Sequence, residues 1–168
     1  METETKATYV FRHWHENRQI VIFAAQLFTR QTMDVLADWV IETVSGWDRG
    51  SPLMIGYDVS NLTLLTPHMI QRSMDIYHAV PIEGIIGRTA IIVGHTRLGM
   101  FVTNFAERIM KVQNPSMLRQ FFTDQQKAVD WLSSELATLK PEMPTPPPAQ
   151  QPAPETPAEE TSENPPTP

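Results

Sequence analysis

Three short runs constrain this chain more than any other feature. Gln19–Ala25 is apolar almost throughout, with Ile20, Val21, Ile22 and Phe23 in succession, and Leu53–Tyr57 and Thr89–Val93 repeat the pattern. Runs this short, rich in Ile and Val, read as strands covered on both faces. Each run gives way to a segment with a helical period. After the first, Met33, Leu36, Val40 and Val44 recur at three and four, with Trp39 and Trp47 widening the stripe. That predicts a helix over about residues 30–45, capped by Thr29 or Thr32 and ended at Gly46. After the second, Ile70, Met74 and Tyr77 share one face of a helix over 67–79. Pro67 suits its first position, where a missing N–H needs no partner. After the third, Leu98, Phe101, Val102, Phe105, Ile109 and Val112 make the stripe of a helix over 98–112, broken by Asn114-Pro115.

The ends complete the pattern. Over residues 8–15, Thr8, Val10, Arg12 and Trp14 alternate with Tyr9, Phe11, His13 and His15, the period of a strand. Glu16-Asn17-Arg18 turns the chain into Gln19–Ala25, so these two strands form an antiparallel hairpin. Pro81, Gly84 and Gly87 predict a loop after the second helix. Met117–Phe122 reads as a last strand, and Asp124 caps a final helix carrying Ala128, Leu132, Leu136 and Leu139 on one face. The expected order is β-β-α-β-α-β-α-β-α. It implies an α/β fold: a five-stranded mixed, mostly parallel sheet flanked by four helices on both faces, joined by right-handed crossovers.

Composition divides the chain. Residues 141–168 hold eleven of the fifteen prolines, five glutamates and no Lys or Arg. Such a segment has too little apolar surface to offset its ordering entropy, so 141–168 is expected to be a disordered Pro/Glu-rich tail and 1–140 a single α/β domain. Without the tail's glutamates the domain is near neutral, which argues against a nucleic-acid face. Cysteine is absent, which excludes disulfides, thiolate catalysis and cysteine-held metals. No run approaches the ~18 apolar residues of a membrane span. Met1–Lys6 lacks the basic and apolar regions of a secretory signal, so the expected location is cytoplasmic.

Candidate chemistry concentrates where strands hand over to helices. Asp58 and Ser60 stand at the end of the second apolar run. They suit either backbone turn bonds or the polar rim of a ligand or partner site. Thr66 is placed to cap the following helix, and His68 lies in its first turn. Gly94-His95-Thr96-Arg97 opens a glycine-bounded turn before a helix start, where free N–H groups and Arg97 favour an anion. No Gly-x-Gly-x-x-Gly or Gly-x-x-x-x-Gly-Lys pattern accompanies it. His13 and His15 share a strand face but have no third ligand at a suitable spacing, and no metal or cofactor is expected. Ser60, His68 and Asp58 lie too close in sequence, with no Gly-x-Ser-x-Gly elbow, to form a triad. The methionines read as core filler, unless some prove open on one face and form an adaptable apolar site.

The order of elements together with Asp58-Val59-Ser60-Asn61-Leu62 resembles STAS-like domains, named for sulphate transporters and anti-sigma-factor antagonists. Leu118-Arg119-Gln120-Phe121-Phe122-Thr123-Asp124 with Ala128 and Trp131-Leu132 resembles the ending of a bacterial stand-alone branch, and Arg88-Thr89-Ala90-Ile91-Ile92-Val93-Gly94 fits the same branch. The resemblance covers residues 7–139. It implies a non-enzymatic regulatory or protein-interaction module whose recognition surface includes Asp58, Ser60, Thr66, His68, Gly94, His95, Thr96 and Arg97. Antagonists of the family carry a phosphorylatable serine in an Asp-Ser-Ser-Gly segment. Here Thr66-Pro67-His68-Met69 stands in that place, so kinase switching is not expected. The alternative is a protein that binds a small anionic or lipid-like ligand. The partner is an unidentified protein or small ligand, and a homodimer stays open.

Overall fold

The computed structural model describes residues 1–79, 85–95, 99, 103 and 117–139. The elements are β1 (Glu2–Ala7), β2 (Val10–His15), β3 (Ile20–Ala25), α1 (Arg30–Ser45), β4 (Leu53–Asp58), α2 (Pro67–Ala79), β5 (Gly87–Ile92), β6 (Met117–Phe122) and α3 (Gln125–Leu139). The strands form one mixed sheet in the order β1-β2-β3-β4-β5-β6. β1, β2 and β3 pair antiparallel; β3, β4, β5 and β6 run parallel.

The α/β class and the mostly parallel, mixed sheet match the sequence-based expectation, but the sheet has six strands, not five. The additional strand is β1, Glu2-Thr3-Glu4-Thr5-Lys6-Ala7, an edge strand with no apolar alternation. The expected helix over 98–112 lies outside the described residues except for Gly99 and Thr103, where the Thr103 hydroxyl donates to the Gly99 carbonyl at 3.0 Å. Three helices are therefore described. Pro81, Gly84 and the proline-rich segment also lie outside the described residues. Gly87 is not a loop residue: it opens β5 opposite Leu53, so close that a Cβ would stand 2.3 Å from the Leu53 carbonyl oxygen.

The near-continuous apolar runs are explained by two cores. In β3, Val21 and Phe23 face one way, with Trp14, Leu36, Trp39, Val40 and Ile55. Ile20 and Ile22 face the other, with Met54, Ile92 and the Ala128, Leu132 and Leu136 stripe of α3. Strands buried on both faces have no place for polar alternation. α1 and α2 thus share one face of the sheet, and α3 covers the opposite face.

The helix ends are satisfied as their sequences suggest. Thr29 caps α1: its side chain accepts from the Thr32 N–H at 3.2 Å, and the Thr32 hydroxyl accepts from the Thr29 N–H at 2.7 Å. Asp124 caps α3 by accepting from the Lys127 N–H at 2.9 Å. The β2–β3 turn is strained, because Glu16, Asn17 and Arg18 all take positive φ, at 47°, 54° and 66°.

Candidate functional site

The carboxyl ends of β3, β4 and β5 meet in one corner. The Val59 N–H donates to the Ile92 carbonyl at 2.9 Å, and the Asn61 side-chain amide donates to the Ala25 carbonyl at 3.4 Å. The Asp58 carboxylate accepts from the Ser60 N–H at 2.9 Å, an Asx turn that ends β4. Gly94 presses against this turn: a Cβ there would stand 2.6 Å from the Ser60 carbonyl oxygen. Gly94, thirty-four positions beyond Ser60, is thus brought together with Asp58 and Ser60.

The other expected site residues are placed differently. Thr66 caps α2, accepting from the Met69 N–H at 3.3 Å. His68 turns toward α1, its Nε2 2.9 Å from the Asp34 carboxylate. Arg72, one turn on, pairs with Asp34, Asp38 and Asp75. The contacts with Asp34 and Asp38 fasten α2 to α1. His95 is exposed beyond the corner, while Thr96 and Arg97 lie outside the described residues. His13 and His15 share the face opposite α1. Burial lowers the pKa of each, opposed at His13 by the charge of Asp58. Among the described residues no group of three His, Asp or Glu is placed to hold a metal. No described helix is long and apolar enough to cross a membrane.

An apolar cleft lies beneath this corner. α2 packs chiefly on α1 and stands off from the sheet, leaving a cleft of about 260 Å³. Its floor is the α1-side face of β4, β5 and β6, with Ile55, Tyr57, Thr89, Ile91 and Arg119. Its roof includes Leu36 of α1 and Met69, Ile70, Met74 and Tyr77 of α2, and Phe28 and Leu62 close the carboxyl end. The walls are almost wholly apolar. The volume lies just below the ~300–1,000 Å³ typical of small-molecule sites. Desolvation raises the phenol of the partly buried Tyr57 above its usual range, opposed by the charge of Arg119, so the phenol stays a neutral O–H donor.

Sequence reasoning allowed a ligand cleft beside the helix stripes as the alternative but named none of its apolar lining, because an apolar helical stripe also fits an ordinary core. The distinguishing sign is burial: Met69 is the one buried residue of α2, although Ile70, Met74, Ile76 and Tyr77 share its apolar character. Comparison with protein-family models, curated proteins and solved structures returns no match.

Proposed function

We propose that this chain is a non-enzymatic binding module of STAS-like build that holds an apolar, lipid-like ligand in the cleft beneath α2. The observation that carries the reading is the cleft wall itself, where Met74, Ile70, Ile76 and Tyr77 of α2 are only partly buried and leave apolar area uncovered. Methionine is flexible and polarisable, which suits a surface that must adapt to an alkyl chain. A binding role is favoured over a chemical one by the partners of the polar groups. Asp58 accepts from the backbone of its own turn and His68 pairs with Asp34, and among the described residues no hydrogen bond joins either to a Ser or Thr hydroxyl.

Native mass spectrometry of purified protein and thermal shifts with twelve-carbon amphiphiles test the reading. At a hundredfold the dissociation constant, a ligand stabilises by about 2.7 kcal/mol. Met69→Trp, which fills the cleft from its roof, should remove the shift while leaving the circular dichroism unchanged. Absence of any co-purifying mass and any shift would reject the ligand.

A second reading, a regulatory module that docks a protein partner, is favoured by one specific observation. Leu27 and Leu64, 48% and 65% exposed, flank the Asp58–Ser60 corner. A pull-down with wild type and with Leu27→Ser/Leu64→Ser distinguishes it: a partner captured only by wild type supports docking there, and equally empty pull-downs reject it.

A further inference from the structure

Given that the cleft is a ligand site, we infer that its ligand is an uncharged fatty-acyl ester whose ester group is received by the hydroxyls of Tyr57 and Thr89. Sheet register places the two donors. Ile55 pairs with Thr89 and Tyr57 with Ile91, so Tyr57 and Thr89 stand at diagonal positions on one face of β4 and β5. Both line the cleft. The Tyr57 ring stacks on Phe23 with centroids 6.4 Å apart, and Phe23 in turn meets Trp39 edge to face. The phenol is thereby held in the floor.

The polar groups of the lining divide by whether the chain already uses them. Asp58 accepts from the Ser60 N–H and, by strand alternation, belongs with Gly56 on the opposite face. Ser73 donates to the Met69 carbonyl at 2.9 Å, and Arg119 is engaged within the chain. Tyr57 and Thr89 remain. Among the described residues neither hydroxyl is hydrogen-bonded, although Thr89 is only 5% exposed. A donor left so in an apolar wall costs free energy until an acceptor meets it. An ester offers a carbonyl oxygen with two lone pairs beside a second, weaker acceptor. A carboxylate would leave water with neither Asp58 nor Arg119 open to match it, and an unmatched buried ion costs far more than a neutral group. The Tyr57 phenol meets the same environment: desolvation outweighs the charge of Arg119 and keeps it protonated beyond its usual range. The alkyl chain packs along Met69, Ile70 and Met74 of the roof.

Calorimetric titrations with methyl decanoate, decanoate and butylbenzene, each below its solubility or micelle limit, test this on wild type, Tyr57→Phe and Thr89→Val. Wild type should prefer methyl decanoate over decanoate by about tenfold or more, because only the ion arrives without a partner. Tyr57→Phe and Thr89→Val keep shape and remove only a hydroxyl. Each should weaken methyl decanoate about two- to tenfold, the worth of one neutral hydrogen bond, and keep butylbenzene, which has no such acceptor, within about twofold. Should one variant not fold, the other carries the same test. Equal or tighter binding of decanoate to wild type overturns the uncharged ligand and leaves the cleft reading intact. Unchanged methyl decanoate affinity in both variants overturns the contact with the hydroxyls. No binding by any of the three probes overturns the cleft reading as well.

Discussion

Replacing Glu4 by glutamine should cost the fold about 2 kcal/mol, although Glu4 lies in a strand with no apolar face. Its carboxylate accepts from the Arg12 Nε at 2.9 Å and from the Trp14 Nε1 at 3.1 Å, and also takes Arg12 Nη2 and Arg18 Nη2. Arg12 is 13% exposed and lies over the rings of Trp14 and Trp39, 5.1 and 4.5 Å from their centroids. A glutamine keeps the shape but points an N–H₂ at groups that are all donors. Removing one partner of a fully buried ion pair costs roughly 3–5 kcal/mol, and of an exposed pair about 0–1. The 27% exposure of Glu4 places this pair between the two limits. Urea unfolding followed by tryptophan fluorescence should show a lower midpoint with an unchanged slope.

The pH dependence gives an independent check. Burial opposes ionisation of Glu4, but the Arg12 hydrogen bond and the charges of Arg12 and Arg18 outweigh it and hold the carboxyl below its ordinary 4.5. A depressed folded pKa contributes stability that is complete above the unfolded value and is lost as pH falls through the folded one. The gap between wild type and Glu4→Gln should therefore be full at pH 7 and should shrink below about pH 4.5. Equal midpoints at pH 7, or a gap that persists unchanged to pH 3, would refute this account of how β1 is held.

Four further outcomes are expected. Gly94→Ala, which sets a Cβ 2.6 Å from the Ser60 carbonyl, should force the β4 and β5 ends apart and cost about 1–3 kcal/mol; an unchanged urea midpoint would show that the corner is not tightly closed. Arg72→Met should loosen α2 from α1, giving faster amide exchange in α2 than in α3; equal protection would deny Arg72 that role. Glu16→Gly relieves a positive φ of 47° and should stabilise by about 0.5–1 kcal/mol, read as a rise in Tm. Because burial lowers His13 and His15 from the ordinary 6.5, the unfolded chain binds protons first, so stability should fall as pH drops below 6.5; His13→Gln/His15→Gln should flatten that decline.

Residues that meet solvent or backbone locally were the easiest to read. Thr29, Asp124 and Pro67 define helix starts through side chains a few positions away, and the structure places α1, α2 and α3 there. The buried strands were equally legible because covering both faces leaves no polar alternation. β1 was not, because nothing in Glu2–Lys6 records its partner. Its contacts are Arg12, Trp14, Arg18 and Glu42, and the rings that receive Arg12 come from β2 and α1. The same blindness applied to His68, whose place against Asp34 depends on how α2 lies across α1, thirty-four positions away.

The place of the cleft was illegible for a reason rooted in topology. In open α/β sheets a ligand crevice forms at the carboxyl ends of strands where the strand order reverses and helices diverge to opposite faces. By that rule Asp58, Ser60 and Gly94 stand where a site is expected. Here the parallel strands run in order as β3-β4-β5-β6 without a reversal. The crossovers from β3 to β4 and from β4 to β5, right-handed as the rule requires, put α1 and α2 on one face. No divergence opens the strand ends, and the corner closes on itself, with Gly94 against Ser60 and Asp58 bonded to its own turn. Space arises instead within the layer, where α2 is tied by Arg72 and His68 to α1 rather than lying flat on the sheet. Ion pairs on the outer side of the roof therefore set the opening of an apolar cleft beneath it, and a site in such a sheet is sought under the second helix rather than at the strand ends.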